Sequence, residues 1–433
     1  MTPAARLAAA ADILDQIART RAPAEAALKQ WGQANRFAGS KDRRAIADRV
    51  YRCLRARTRL AWAMGSDSGR ALVIGSLALI DGEGTGEISA LFSGEGYAPA
   101  KLTTEERARL ERPEGEPPAW VSAGLRDFVA EDFKRPFGED WAAEAEALMR
   151  PRAPIDLRVN GARASVDQVK AELEAEGLAP ERTPWSAWGL RLDAEPPPNI
   201  QKLAAYREGR LEVQDEGSQI TAWLAGAKRG MTVVDYCAGG GGKTLALAQK
   251  LFPSDGRLIA CDVDPKRLSN IKPRLERAGI IAEFRQLGLG GEGVDDLEGR
   301  ADLVLVDAPC SGSGTWRRRP EDAWRLTEAE VERLHHLQVA ILSRAAKLAK
   351  PGARLAYVTC SLLSREDEAS ADAFEAAHPG FQPVSIAAAL DTPDLTLAAR
   401  ERLSALAQGC RLRLSPRRSG TDGFFVSLYE RTR

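Results

Sequence analysis

The chain has 433 residues, and its 61 Lys and Arg balance 61 Asp and Glu, so no global charge marks it as a nucleic-acid or membrane binder and any basic footprint must be local. At ~100–200 residues per domain this length exceeds one ordinary core and predicts three domains. Cysteines at 53, 237, 261, 310, 360 and 410, with no C-x-x-C pair and only three histidines, argue against a zinc site and for reduced thiols, so no metal is expected.

The first element read from the N-terminus is an amphipathic helix opened by Thr2-Pro3, with Leu7, Ala10, Leu14 and Ile17 on its apolar face. It lacks a signal peptide's basic start and continuous apolar centre, and no apolar run approaches the ~18 residues of a membrane span. A cytoplasmic monomer away from membranes is expected. Residues 1–147 are rich in Ala, Leu, Arg and Glu without strand alternation and predict a helical domain. Within it KDRRAIADRVYRCLRARTR (41–59) sets an apolar seam of Ile46, Val50, Cys53 or Leu54, and Leu60 against many arginines. Arg43, Arg44, Arg52 and Arg55 are candidates for an RNA backbone, although a solvated helix face explains the charge equally well. A second domain is expected over 148–205: strand IDLRV (155–159), a helix opened by the capping pair Ser165 and Gln168, and strand WGLRL (188–192), closed by the stiff linker EPPPNI.

Over 206–433 short apolar runs alternate with helix-length segments: TVVDY (232–236), RLIACD (257–262), ADLVLVD (301–307), RLAYVT (354–359) and FFVSLY (424–429). This predicts an α/β, Rossmann-like, doubly wound sheet. Its loop CAGGGGKT (237–244) poses a choice between a nucleotide phosphate loop and a methyl-donor loop. The phosphate signature needs a glycine where Cys237 stands, although Asp307 resembles a magnesium-holding acid. Asp262 closes the next strand where a Rossmann-like site binds ribose hydroxyls, which favours an adenosine cofactor such as S-adenosylmethionine. Downstream, DAPCSGSGTWRRRPE (307–321) and YVTCS (357–361) each set a cysteine just beyond a strand's C-terminal end, where open α/β sheets bind ligands. A nucleotide hydrolase and a non-catalytic RNA-binding assembly factor remain the competing readings.

With CAGGGGKT, DAPCSGSG, RRRPE, KPGARLAYVTCS, EDE (366–368) and TDGFFVSLYER (421–431) in order, the chain resembles the RsmB/NOP2/NSUN family of RNA 5-methylcytosine methyltransferases. SKDRRAIADRVYRCLRARTRL resembles the NusB-like N-terminal domain of its bacterial RsmB-type members, and DLRVN (156–160) their small ferredoxin-like RNA-binding domain. The resemblance implies methylation of ribosomal RNA, with RNA as partner and S-adenosylmethionine as donor. It implies Cys360 as nucleophile and Cys310 for product release, whereas chemistry alone does not separate them, because DNA cytosine methyltransferases use the cysteine of a Pro-Cys pair. It implies Asp307 as partner of the cytosine ring. Because a free thiol is mostly protonated at neutral pH, a neighbouring positive charge, with Lys243 the candidate, is expected to help form the thiolate. The donor site carries over onto Cys237, Ala238, Gly239, Gly240, Gly241, Gly242, Lys243, Asp262 and Asp307.

This chain departs from the family pattern at Gly239-Gly240, where Ala-Pro is usual, and at Gly288, where an acid is usual; the expectation at the second is a weaker adenine contact made by backbone alone. Asp367 for Asn and Ala353 for Gly are minor departures. Arg317, Arg318, Arg319, Arg417 and Arg418 are candidates for RNA phosphates, and Trp316 or Trp324 for supporting a base that has left its stack, against the blander readings of surface ion pairs and core.

Overall fold

The computed structural model describes residues 1–111, 115–149, 152–251 and 255–432. They divide into two compact units, Met1–Arg152 with Thr315–Thr327, and Ala153–Gly314 with Glu328–Arg433. Among the described residues no helix is long and apolar enough to cross a membrane.

The first unit is helical. Its opening helix, Pro3–Thr20, is capped by Thr2, whose Oγ1 accepts from the Ala5 amide at 3.2 Å, with proline at the first position where its missing N–H costs nothing. Helix Ser40–Arg55 buries Ile46, Val50, Cys53 and Leu54 together, and Leu60 follows on the next helix. The segment 315–327 belongs to this unit. Its Trp316 is buried, the Trp324 indole donates to the Leu54 carbonyl at 3.0 Å, and Glu321 accepts from the Ala24 amide at 3.0 Å.

The second unit holds two sheets. The smaller is built from β1 (Ile155–Val159), β2 (Glu181–Arg182), β3 (Gly189–Leu192) and β4 (Leu211–Val213) in the order β2-β3-β1-β4, antiparallel throughout. One face packs on helix Val166–Ala175 through Leu157, Val159, Val169, Leu173 and Leu190. That helix carries the expected capping box: the Gln168 amide donates to Ser165 Oγ at 3.2 Å, and the Ser165 amide to Gln168 Oε1 at 2.8 Å. The fourth strand, β4, lies beyond the boundary expected at residue 205.

The larger sheet comprises β5 (Thr232–Asp235), β6 (Arg257–Asp262), β7 (Glu283–Gln286), β8 (Ala301–Asp307), β9 (Ala349–Thr359), β10 (Phe381–Pro383), β11 (Arg411–Leu414) and β12 (Phe424–Arg431). Its order is β10-β12-β9-β8-β5-β6-β7, with β11 on β12. β5 to β9 run parallel, while β12 runs antiparallel to β9. Alternate side chains enter opposite layers, as a doubly wound sheet requires. Val233, Leu258, Leu303 and Val358 pack with helices Glu216–Ala225 and Gly242–Leu251, whereas Val234, Ile259, Val304 and Tyr357 pack with Glu328–Ala346 and Glu368–Ala377. The chain leaves β5 toward β6 on one side and returns to β8 on the other, so a crevice opens at the C-terminal ends of β5 and β8.

Candidate functional site

The loop after β5 is shaped by its glycines and pinned to β6. Gly239 and Gly241 have φ of 54° and 79°, in the left-handed region, and a Cβ on Gly241 would lie 2.7 Å from Ile271 Cγ2. The Ala238 amide donates to the Cys261 carbonyl at 2.8 Å, and the Gly239 amide to Asp262 Oδ2 at 2.9 Å. Asp262 Oδ1 accepts from the Asp264 amide at 2.9 Å, so this carboxylate fixes both the donor-type loop and the turn after its own strand. Gly242 begins the following helix, Gly242–Leu251.

Three carboxylates stand at the C-terminal ends of three neighbouring strands: Asp235 on β5, Asp262 on β6 and Asp307 on β8. Asp235 did not emerge from the sequence as a site residue. It is buried, Thr244 Oγ1 donates to its Oδ2 at 2.6 Å, and its Oδ1 has no partner among the described residues. Burial pushes its carboxyl up to about 7, with the charges of Asp307 and Asp262 adding to the effect. Lys243 Nζ bonds Asp307 Oδ2 at 2.7 Å and lies 4.9 Å from the centre of the Phe424 ring. Its ammonium is therefore engaged with Asp307 and has no hydrogen bond to a cysteine among the described residues, which departs from the expectation that it assists a thiol directly. Cys237 is held protonated, its thiol raised well above its ordinary range by burial and then by the three aspartates. These groups suit an adenosine-bearing cation: turned backbone, carboxylate acceptors and one unmatched buried oxygen.

The two strand-end cysteines meet. Cys310 and Cys360 Sγ lie 3.4 Å apart, both partly exposed, as free thiols. The Cys310 thiol is raised well above its ordinary range, first by the Cys360 sulfur beside it, then by burial and the negative charge of Glu366. Glu366 links both cysteine loops. Its Oε1 accepts from the Ser311 amide at 2.8 Å and from Gln338 Nε2 at 3.1 Å, and its Oε2 accepts from Ser361 Oγ at 2.6 Å and from the Ser311 hydroxyl. Ser313 Oγ accepts from the Leu362 amide at 2.8 Å, and the Gly314 amide donates to the Cys360 carbonyl at 2.9 Å. A Cβ on Gly314 would lie 2.2 Å from the Gly423 carbonyl, so the TDGFF segment closes against the same loop. The remaining cysteines are inert: burial raises Cys53 to about 11 and Cys261 to about 12, and Cys410 is buried beside Ser427.

Other candidates go elsewhere. Trp316 and Trp324 fall in the helical unit, Trp316 buried and the Trp324 indole bonded to the Leu54 carbonyl. Arg317 is buried there too, and Arg319 pairs with Asp322 at 3.0 Å. In helix Ser40–Arg55, Arg52 pairs with Asp81 at 2.6 Å, Arg55 donates to the Arg317 carbonyl at 3.3 Å, and Arg43 Nε donates to the Ala38 carbonyl at 2.9 Å. Much of that helix's charge is thus spent within its own unit, the blander of the two readings. Arg417 is exposed and Arg418 partly so.

A family model described as "16S rRNA methyltransferase RsmB/F" matches residues 222–430, and one for the ferredoxin-like domain of RsmF/B-like methyltransferases matches 127–198. The chain carries the RsmB/F methyltransferase domain together with the ferredoxin-like domain of RsmF/B-like methyltransferases. It is 31% identical over 275 residues to the probable ribosomal RNA small subunit methyltransferase B of Bacillus subtilis, covering 62% of this chain and 58% of that protein. The matched part therefore spans little more than half of that relative's length. It is 27% identical over 422 residues to ribosomal RNA small subunit methyltransferase B of Erwinia tasmaniensis, covering 91% of this chain and 92% of the relative. Among solved structures it is similar to PH0851, with a TM-score of 0.76 and 25% identity over 100% of this chain and 99% of that one. S-adenosylmethionine is the methyl donor of this family. The nucleotide-hydrolase reading falls, because the Thr244 hydroxyl and the Lys243 ammonium are already bound to aspartates and three carboxylates would oppose a polyphosphate.

Proposed function

We propose that the protein methylates carbon 5 of a cytosine in RNA, with small-subunit ribosomal RNA as its substrate, through a covalent cysteine adduct. One juxtaposition carries the reading: two thiols 3.4 Å apart, at the ends of neighbouring strands, beside Asp307 and the glycine loop. S-adenosylmethionine supplies an electrophilic methyl group when bound. The backbone of residues 237–242 and the carboxylate of Asp262 would hold it, the carboxylate at the ribose. Carbon 5 of cytosine is a poor nucleophile until a thiolate adds to carbon 6 and pushes an electron pair onto carbon 5. We assign the thiolate role to Cys360, as the resemblance to the family implies. Asp307, held by Lys243, accepts hydrogen bonds from the amine and the protonated ring nitrogen of the adduct. With Cys360 tied up in the adduct and its charge no longer beside Cys310, Cys310 as thiolate accepts the carbon 5 proton, the C5–H electron pair re-forms the C5–C6 double bond, and the carbon–sulfur bond breaks with its pair returning to Cys360 as thiolate.

The ribosomal substrate rests on the relatives' names and on the helical and ferredoxin-like parts that precede the catalytic sheet, for which we propose an RNA-binding role with bounds near 1–147 and 148–205. Bisulfite sequencing of total RNA from cells with and without the gene tests the reading. One small-subunit cytosine protected only when the gene is present is expected. A protected cytosine in another RNA would replace the substrate, and no gene-dependent site in any RNA would overturn the activity.

A further inference from the structure

Gly288 follows β7, the strand beside β6, and so stands at the same edge as the ribose acid Asp262; the Leu287 amide donates to the Asp262 carbonyl at 2.9 Å. A side chain at 288 would find its place taken. A Cβ there would lie 2.0 Å from Glu292 Oε2 and 3.0 Å from its Cδ, and a Cβ on Gly290 would lie 2.0 Å from Glu292 Oε1. The Glu292 carboxylate folds back over both glycines, fixed by the Gly290 amide donating to Oε2 at 3.1 Å, while the Gly288 amide donates to the Glu292 carbonyl at 3.1 Å. The Gly291 amide closes the turn on the Gly288 carbonyl at 2.9 Å. The residue is exposed, so its acceptor oxygens are available to a ligand. Val263 and Leu289, at the exits of β6 and β7, are also exposed, at 51% and 89%.

We infer that Glu292 is the side chain that recognises the nucleobase of the methyl donor, accepting a hydrogen bond from the exocyclic amine of adenine in the position a side chain at 288 would otherwise fill. An ionised carboxylate is acceptor-only, so it accepts from the amine of adenine and repels the carbonyl oxygen that replaces that amine in hypoxanthine. Glycines at 288 and 290 are then what make room for it, and the adenine contact is made by a side chain rather than by backbone alone. The inference rests on the donor-site reading of the proposed function.

Calorimetry on the full chain with S-adenosylhomocysteine and with its deaminated counterpart, S-inosylhomocysteine, separates the two. The parent is expected to prefer the adenine form. Glu292→Ala should lose about tenfold in affinity for the adenine form, the size of one charge-assisted hydrogen bond in a partly solvated site, and little or none for the inosine form. Gly288→Asp added to Glu292→Ala should recover most of the loss by returning a carboxylate to the vacated space. Equal affinity of parent and Glu292→Ala for the adenine form, or an equal loss with both ligands, would overturn the inference and leave Glu292 as a loop brace. A parent that binds neither ligand would instead overturn the donor site itself, and this inference with it.

Discussion

Replacing Glu366 should disable the site without emptying it of either cysteine. The carboxylate is fully buried and accepts four hydrogen bonds, two from Ser311, one from Ser361 and one from Gln338, so each cysteine's following serine hangs on the same side chain. Glu366→Ala leaves those donors buried and unpaired at ~1–3 kcal/mol each, and partial relaxation with water entry brings the expected stability loss to about 3–5 kcal/mol. The effect on turnover is larger in kind. The sulfurs sit 3.4 Å apart because both loops are fixed, and a displacement of ~1 Å at a reacting group costs on the order of 100-fold in rate. Glu366→Gln keeps one acceptor for the Ser311 amide, and the serine hydroxyls can turn to meet its amide, so an intermediate loss is expected. The assay is methyl transfer to RNA at saturating donor, alongside donor affinity by calorimetry and the pH dependence of iodoacetamide labelling at Cys360. Glu366→Ala should lower kcat about 100-fold, leave donor affinity near the parent's and change the labelling profile. Unchanged kcat and labelling with only a lower Tm would refute the reasoning and reduce Glu366 to a stabilising core residue.

Cys360→Ala should give neither methyl transfer nor adduct, whereas Cys310→Ala should accumulate a denaturant-resistant protein–RNA adduct, seen as a shifted band on denaturing electrophoresis; the reverse pattern would exchange the two roles. Asp262→Ala removes the acceptor for the Gly239 and Asp264 amides as well as the ribose contact, so donor affinity should fall by ~1.5–3 kcal/mol in calorimetry, and an unchanged value would move the ribose site. Asp235→Asn tests the buried acid. Its native carboxyl is raised from 3.8 to about 7, so its ionisation opposes folding, and native stability is lost as pH rises from the unfolded value through the folded one. The variant's advantage over the parent in denaturant-unfolding free energy should therefore grow by about 3 kcal/mol between pH 5 and pH 8, and a pH-independent difference would place the titration elsewhere.

The sequence made the parallel centre legible for a physical reason. β5, β6 and β8, and β9 over 355–359, are largely buried on both faces and read as apolar runs, and the first three each end at an aspartate at the crevice. β7 was not legible, because Glu283–Gln286 is an edge strand whose side chains are exposed or half-exposed and carry no apolar alternation. β4 and β10 are illegible for another reason: three residues long, they are strands only because partners far along the chain pair with them, and β11, four residues long, is a strand through its pairing with β12. The same limit governs the site. Cysteines at strand ends could be read from local pattern, but the bridging role of Glu366 needs Ser311 and Ser361 brought together from 55 and 5 residues away. Trp324 is a candidate base support by its place in the sequence, yet its indole is bonded to the Leu54 carbonyl, 270 residues distant. The place of Glu292 over Gly288 is not legible in the sequence, because it depends on the shape of a turn.

The electrostatics of the crevice bear on which ligand it can hold and how it lets go. Asp235, Asp262 and Asp307 end three adjacent strands, and Lys243 is the cation bonded among them, already committed to Asp307. The strain of this excess is visible in Asp235, whose carboxyl is raised by burial and further by its two neighbours. A ligand that brings a sulfonium and an ammonium against one carboxylate, a net positive charge, relieves that excess, a unit charge at ~7 Å being worth on the order of 2 kcal/mol at an effective dielectric constant of ~20, while a polyphosphate pays the same interaction with the opposite sign several times over. Methyl transfer removes the sulfonium charge and leaves a neutral thioether. The attraction that favours the donor is therefore partly withdrawn by the reaction itself, so the same three carboxylates that select a cationic methyl donor also weaken the hold on its product relative to fresh donor.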